Sequence, residues 1–518
     1  MKAALPQPGG LIRSVATVGS MTMLSRVAGF ARDMLVAALL GAGPLADAFF
    51  VAFKLPNFLR RLFAEGAFNA GFVPMFARTL EAEGKLVARA FAEQAQAVLI
   101  AILLPLVVVA VLAMPLLIRV FAPGFEVGGV RYEAAVDYSR ITFCYILFIS
   151  LVALYGGVLN SIGRFASPAA APIVLNLVLI LALLLSAVWF DAPALALAWG
   201  VAFAGLAQFV WLRVSLAREG MTIGLRRPRL TPEIKRLFGL ILPGAVGAGV
   251  AQISLLVDVF FASLLPAGAV SFLYFADRVA QLPLGVIGVA IGTVLLPLLA
   301  RHLRAGRIDD ALISQNRALE LALLLTLPSA LALIVLAQPI VTVLFERGAF
   351  EASDSSATAA ALAAYACGLP AFVLVKVLAP GFFAREDTRT PVKIAVVCLG
   401  ANVVFVVSLL GWLEHVGIAL ATTLASWLNA GLLGWRLRRA GLLKPDARLK
   451  TRLIRIALAA LGMTAILLLL LELTRTLPGW LALAVEIGAG GLAFFALAQV
   501  LGAMQLDEVL KLVRRDRA

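Results

Sequence analysis

Runs of about 20 mostly apolar residues, each long enough to cross a hydrocarbon core, follow one another from residue 15 to residue 503. No other feature of the chain limits its fold so tightly. Without water to bond the backbone, a crossing segment satisfies its own N–H and C=O groups as a helix, or it joins a closed barrel. Barrel strands read as evenly spaced ten-residue segments of alternating polarity, and the sequence has none. The chain is therefore expected to be an all-α polytopic membrane protein. Its hydrophobic content of 62% exceeds the roughly 45–50% of an average soluble domain. A net charge of +15 in a soluble chain would suggest nucleic acid. Here the bases collect in loops on one side, so no nucleic-acid partner is expected.

About 14 transmembrane helices are expected, near 15–41, 45–77, 90–119, 136–160, 168–190, 194–216, 237–264, 269–300, 318–344, 357–383, 391–411, 416–436, 453–472 and 480–503. An even number puts both termini on one side. That side carries 32 of the 44 Lys and Arg, in loops, tails and span edges, against 4 on the other. The positive-inside rule makes the basic side cytoplasmic. The first residues, MKAALPQPGGLIR, lack the apolar run and cleavage site of a signal peptide, so the first span is expected to direct insertion.

The chain aligns with itself without gaps at an offset of 223 residues. Pro74, Ala77 and Arg78 match Pro297, Ala300 and Arg301. Leu104-Pro105 matches Leu327-Pro328, Cys144 matches Cys367, and Ser167-Pro168 matches Thr390-Pro391. Six spans per unit keep both copies in the same orientation, the pattern of a parallel repeat about an axis along the membrane normal. The expected organisation is an N-terminal lobe of six helices (1–219), a C-terminal lobe of six (220–440), and an added pair with a tail (441–518). In transporters of this kind the substrate binds between the halves, which rock to give alternating access.

The first two spans carry charge where lipid does not tolerate it. Residues 21–70 contain five bases, Arg26, Arg32, Lys54, Arg60 and Arg61, and three acids, Asp33, Asp47 and Glu65. A charge at bilayer depth costs about 2.5–3.5 kcal/mol on insertion scales, so such residues face a bundle interior or a watery cavity. The excess of bases points to an anionic passenger. Arg26, Phe30 and Asp33 share one helical face, and Asp47, Lys54, Arg61 and Glu65 share another; Arg32 and Arg60 lie off these stripes. Arg278, beside Asp277 and near Ser271 and Gln281, holds the matching place in the second half. The arginine fork suits phosphate oxygens and keeps its charge when desolvated, so Arg26, Arg32, Arg60 and Arg278 are expected to bind substrate. For Lys54, Arg61 and Glu65, substrate contact and an interfacial role both stand open. Asp258, in SLLVDVFF, has two readings: with Asn402 and Thr422 it holds Na⁺ or a proton, or it is a buried acid bonded within the bundle. Lys376 is also intramembrane, with no partner assignable. Cys144, Cys367 and Cys398 read as small buried hydrophobes. His302 and His415 form no metal constellation, and no GxxxxGK[ST] loop for nucleotide phosphates occurs.

Four segments, SMTMLSRVAGFARD (20–33), ADAFFVAFKLPNFLRRLFAEGAFNAGFVP (46–74), YFADRVAQLPLGVIGVAIGT (274–293) and VKVLAPGFFAREDTRTPVKIA (375–395), resemble the MurJ (MviN) lipid II flippases of bacteria. These belong to the multidrug/oligosaccharidyl-lipid/polysaccharide exporter superfamily. The resemblance implies two six-helix lobes in a V with two C-terminal helices. It implies movement of undecaprenyl-pyrophosphate-linked disaccharide-pentapeptide from the inner to the outer leaflet for peptidoglycan synthesis, without enzymatic chemistry. The location it implies is the bacterial cytoplasmic membrane, with both termini cytoplasmic and with membrane lipids and the cell-wall synthesis machinery as partners. The family's essential arginines fall on Arg26, Arg32, Arg60 and Arg278, and its polar positions on Ser25, Asp33, Asp47, Asn57 and Ser271. Its sodium site falls on Asp258, Asn402 and Thr422, with Val406 where a second acid is expected. Gln281 stands where some members carry Glu. Spans 13–14 are implied to line a groove for the polyprenyl tail.

The expected function is therefore lipid II flipping by alternating access through a cationic central cavity. No cofactor is expected; Na⁺, H⁺ or the membrane potential supplies the drive. The alternatives are a flippase for another polyprenyl-pyrophosphate glycan and a cation-coupled drug exporter of the same superfamily. A drug exporter for cations calls for an acidic cavity, and a scaffold for cell-wall enzymes has no need of buried charge.

Overall fold

The computed structural model describes residues 8–60 and 68–504. Among the described residues every regular element is a helix, as the backbone argument requires. Span 1 is α1 (Pro8–Leu40). Span 2 holds α2 (Pro44–Leu59) and α3 (Phe68–Glu83). Span 3 is α4 (Lys85–Leu112) with α5 (Met114–Phe121), and span 4 is α6 (Val130–Phe143) with α7 (Tyr145–Ser161). Spans 5 to 8 are α8 (Ala166–Trp189), α9 (Pro193–Arg218), α10 (Pro232–Ser263) and α11 (Ala269–Arg304). Span 9 is α12 (Ile308–Val335) with α13 (Ala337–Phe345); span 10 is α14 (Ala352–Ala366) with α15 (Leu369–Phe383). α16 (Arg389–Arg439) carries spans 11 and 12, and α17 (Ala447–Leu473) and α18 (Gly479–Val500) complete the chain. At 51 residues α16 is too long for one crossing. Its φ/ψ at Glu414 (48°, −127°) are non-helical and break it in two.

By length and composition, nine described helices are apolar enough to cross a membrane. They account for spans 3–6 and 9–14. Spans 1, 2, 7 and 8 are not among them, and those four carry Arg26, Arg32, Lys54, Arg60, Asp258 and Arg278. The sequence repeat is visible in the helix boundaries. α4 and α12, α5 and α13, and α8 and α16 begin 223 residues apart, and the breaks at Cys144 and Cys367 have the same spacing.

Contacts divide the chain into two compact units, Met1–Ser271 with Arg347–Phe350, and Phe272–Glu346 with Glu351–Ala518. This is a different division from the repeat, because α10 belongs to the first unit. Gly71 of α3 lies against Leu237, Leu240 and Ile241 of α10. In unit 1 the rings of Phe68, Phe72 and Phe76 stack along α3, with Phe91 of α4 against Phe72 at 5.5 Å.

In each unit the segment that follows the sixth span is pinned along the third by a buried glutamate. In unit 1 Glu93 of α4, 4% exposed, accepts from Arg89 Nε (2.9 Å), Arg226 Nε (2.6 Å) and the Gly224 amide (3.0 Å). In unit 2 Glu320 of α12 accepts from Arg317 and Arg452 and pairs with Arg448 at 3.5 Å. The Asn316 amide there donates to the Lys444 carbonyl at 2.8 Å. Each carboxylate is charge-compensated and multiply bonded, the condition under which burial is tolerated.

Candidate functional site

In unit 1 the site is built on α1, α2 and α8. Arg32 and Asp33 are buried, at 5% and 2% exposure. Asp33 Oδ1 accepts from Arg32 Nε at 3.0 Å and Nη2 at 2.6 Å, and Arg32 Nη1 donates to Asn176 Oδ1 of α8 at 2.9 Å. The Asn176 amide in turn donates to the Ser25 carbonyl at 3.0 Å. Asn176 can come this close because residue 29 is glycine: a Cβ there would stand 3.3 Å from its Nδ2. A buried pair with its other polar atoms satisfied is stable where a lone charge is not. Arg32 and Asp33 therefore fasten α1 to α8.

Arg26 stands apart from this network. It is half-buried on the same helix, and among the described residues it makes no hydrogen bond or ion pair. A cation removed from water without an acceptor is costly, and an anionic ligand relieves that cost.

α2 contains Pro56, which has no N–H for the Ala52 carbonyl one turn back. The Thr142 hydroxyl of α6 fills that vacancy, donating to Ala52 O at 3.0 Å. The Asn57 amide donates to Phe53 O (2.8 Å), and its Oδ1 accepts from Arg60 Nε at 3.1 Å. Arg60 is thus aimed by Asn57, and both are half-buried, as is Lys54. Arg61 and Glu65 lie outside the described residues.

Asp47 and Ser271, expected among the substrate contacts, are both fully buried and bond to each other. Asp47 Oδ1 accepts from the Ser271 hydroxyl (2.7 Å) and the Ser271 amide (2.9 Å), and Oδ2 accepts from the Gly268 amide (2.8 Å). The carboxylate caps the start of α11, satisfying amides that a helix N-terminus leaves open. Gly268, with φ +100°, turns the chain into that cap. In this structure Asp47 and Ser271 serve the protein's own backbone and present no surface to a ligand.

In unit 2 Arg278 is half-buried over the Tyr274 ring, its Cζ 5.0 Å from the centroid, and its Nη2 donates to the Tyr274 hydroxyl at 3.1 Å. The Gln281 amide donates to Asp277, so the neutral residue here is engaged one turn back. The Lys376 stem runs over Gly288 of α11, where a Cβ would meet its Cδ at 2.9 Å. Asn402 is 2% exposed, and neither side-chain atom has a hydrogen-bond partner among the described residues. Thr422 is half-buried, and Val406 is fully buried and offers no oxygen. Asp258 belongs to unit 1 and is half-buried. Of the proposed cation ligands, the orphaned carboxamide of Asn402 fits the need for a donor oxygen, and position 406 does not.

Sequence reasoning missed Asn176 and Tyr274. Asn176 is the lone amide in PIVLNLVLI, and an isolated amide in an apolar span signals a polar partner on a neighbouring helix. Tyr274 lies four residues before Arg278, one helical turn away, where an aromatic ring and a cation meet.

A family profile described as "Lipid II flippase MurJ" matches residues 36–485. The chain is similar to a protein of Rhizobium meliloti named "Probable lipid II flippase MurJ", at 44% identity over 98% of this chain and 96% of that one. It is similar to the "Lipid II flippase MurJ" of Burkholderia cenocepacia at 40% identity, over 84% and 85% of the two chains. Among solved structures, "Lipid II flippase MurJ, inward closed conformation" superposes with a TM-score of 0.79 at 26% identity, covering 93% of this chain and 98% of that one. An inward-facing multidrug resistance MATE family transporter of the MOP superfamily superposes with a TM-score of 0.69 at 16% identity, over 82% and 98% of the chains. The second likeness shows a shared fold alone.

Proposed function

The chain belongs to the lipid II flippase MurJ family, and from that premise we propose how its own residues handle the substrate. It is a lipid II flippase, a transporter and not an enzyme. The observation that carries the binding assignment is Arg26, a half-buried cation without an acceptor among the described residues. The pyrophosphate of the substrate supplies that acceptor, and a guanidinium meets it with two parallel bonds. Arg60, aimed by Asn57 in one unit, and Arg278, stacked on Tyr274 in the other, are each assigned the same task. Arg32 acts through position: with Asp33 and Asn176 it fixes the helix that carries Ser25 and Arg26. The pyrophosphate and sugar-peptide head cross beside these arginines, exposed first to one side and then to the other, while the polyprenyl tail stays in lipid.

Asp258, Asn402 and Thr422 are the residues we assign to a coupling cation, Na⁺ or H⁺. Proteoliposomes loaded with lipid II test both readings. The wild-type chain is expected to bring lipid II within reach of an external glycosyltransferase, and to do so faster with an imposed ion gradient. Asp258→Asn is expected to abolish the dependence on Na⁺ and pH at unchanged abundance. Wild-type flipping that ignores both Na⁺ and pH assigns the drive to the membrane potential, and no acceleration over empty vesicles overturns the transport reading.

We place the chain in the bacterial cytoplasmic membrane with both termini in the cytoplasm, beside the cell-wall synthesis machinery, on the strength of the loop charge asymmetry and the family. Val127 and Ser353 are exposed on the expected outer side, in a turn and at the start of α14, and Leu86 and Ala305 on the inner, at the start of α4 and in a turn. With the three native cysteines replaced, a cysteine at either of the first two is expected to react with an impermeant maleimide in intact spheroplasts. A cysteine at Leu86 or Ala305 is expected to react only after lysis. The opposite pattern inverts the topology.

A further inference from the structure

In unit 2 a cavity of about 230 Å³ lies among α12, α17 and α18, walled by Leu325, Met463, Leu467, Gly491 and Phe494. One acidic side chain, Glu486, forms part of this mostly apolar wall and is 2% exposed. Its Oε1 accepts from the Thr474 hydroxyl at 2.6 Å, and its Oε2 has no hydrogen-bond partner among the described residues. A buried polar atom left unpaired costs about 1–3 kcal/mol, so such an atom in a lipid-facing helix asks for a ligand.

The chemistry of the cavity narrows what that ligand is. A bare hydrocarbon chain, such as a polyprenyl tail, fills the apolar walls and leaves Oε2 unpaired. An ammonium brings three donors to a site with one open acceptor, because the hydroxyl of Ser329, the other polar residue in the wall, already bonds to the Leu325 carbonyl at 2.7 Å. A phosphate brings negative charge against the carboxyl group. Glu486 also lies about 10 Å along the apolar helix α18 from Gly479, at 1.5 Å per residue, and an apolar setting penalises a charged headgroup. A hydroxyl needs one partner, and it pairs with a carboxyl group whether or not that group carries a proton. We propose that this cavity binds a neutral lipid alcohol, with the hydroxyl on Glu486 and the chain along Met463, Leu467 and Phe494.

The test uses the full chain in lipid nanodiscs and a diazirine-bearing hexadecanol, with crosslinks mapped by mass spectrometry. Labelling is expected on α17 and α18 around Glu486. Unlabelled hexadecanol is expected to compete about tenfold better than hexadecane, the equivalent of one net hydrogen bond, and better than hexadecylamine or hexadecyl phosphate. Glu486→Leu is expected to erase the preference for alcohol over alkane. Gly491→Leu, at a position where an added Cβ meets nothing within 4 Å, is expected to fill the cavity and block labelling; it serves where the first variant does not insert. Equal competition by hexadecane overturns the proposal, leaving an apolar slot with a water on Glu486. Stronger competition by the amine or the phosphate, or labelling unchanged by Gly491→Leu, overturns it as well.

Discussion

Arg26→Ala is expected to reach the membrane at normal abundance and to fail to support growth when it is the only flippase in the cell. The reasoning begins with what Arg26 lacks. Arg32 is held by Asp33 and Asn176, and Arg60 by Asn57. Arg26 has no such bond among the described residues, so its removal breaks no internal network and the fold should tolerate it. On the proposed assignment, what is lost is the pyrophosphate contact. Arg26→Lys keeps the charge but not the planar pair of donors. Hydrogen bonds to charged groups contribute about 1.5–3 kcal/mol, so losing one weakens binding roughly tenfold to a hundredfold. Substrate binding and flipping are expected to fall by that order in Arg26→Lys. Arg32→Ala is expected to behave differently, losing abundance because it removes the buried Arg32–Asp33 pair and the bond to Asn176 that ties α1 to α8. Full growth on Arg26→Ala would remove the substrate role. So would a loss of abundance large enough to explain the growth defect.

Asp47→Ala is expected to be the most destabilising single change in the first two spans. It strips the acceptor from three buried donors, the Gly268 amide, the Ser271 amide and the Ser271 hydroxyl. Each buried group left unsatisfied costs about 1–3 kcal/mol, and a methyl in place of the carboxylate offers no acceptor to any of the three. The thermal midpoint of the purified protein in detergent is expected to drop well below that of wild type. Asp47→Asn keeps one acceptor oxygen and sets an N–H against a donor, so it should fall between the two. A midpoint for Asp47→Ala within error of wild type would mean that the α11 start is held by something else.

Most of the fold was legible because membrane chemistry permits so few answers. The apolar runs located the helices, and the 223-residue offset found in the sequence recurs in helix starts at Lys85 and Ile308 and at Ala166 and Arg389. The breaks inside spans were harder to see. Pro115 and Pro370 begin α5 and α15 near their starts, but a proline in an apolar run is as compatible with a kink as with an end. The site was legible in its arginines and less so in its acids. Asp47 and Ser271 are polar residues at span edges, and sequence alone cannot tell a carboxylate facing a ligand from one capping a helix 221 residues away. The span that carries Asn176 reads in sequence as plain apolar helix, although its side chain bonds α1 at Ser25 and Arg32. The likeness to multidrug transporters, at 16% identity, illustrates the same division. The architecture alone is what the two share.

The junction between the end of α1 and residues 347–350 has a consequence for biosynthesis. The Ala349 amide donates to the Ala38 carbonyl at 2.8 Å. A Cβ on Gly41 would stand 2.3 Å from the Ala349 carbonyl, and one on Gly348 would stand 2.1 Å from that of Ala38. These backbones touch so closely that only glycine fits at either place. The ribosome makes the two partners far apart in time: α1 emerges at the outset, and Gly348 about two-thirds of the way through the chain. At synthesis rates of roughly 5–20 residues per second, the first helix waits tens of seconds in the membrane with its C-terminal end unmatched. Unit 1 thus cannot finish as an early, self-sufficient intermediate, and a ribosome stalled before codon 350 would leave an incomplete N-terminal unit for the cell's quality control to find.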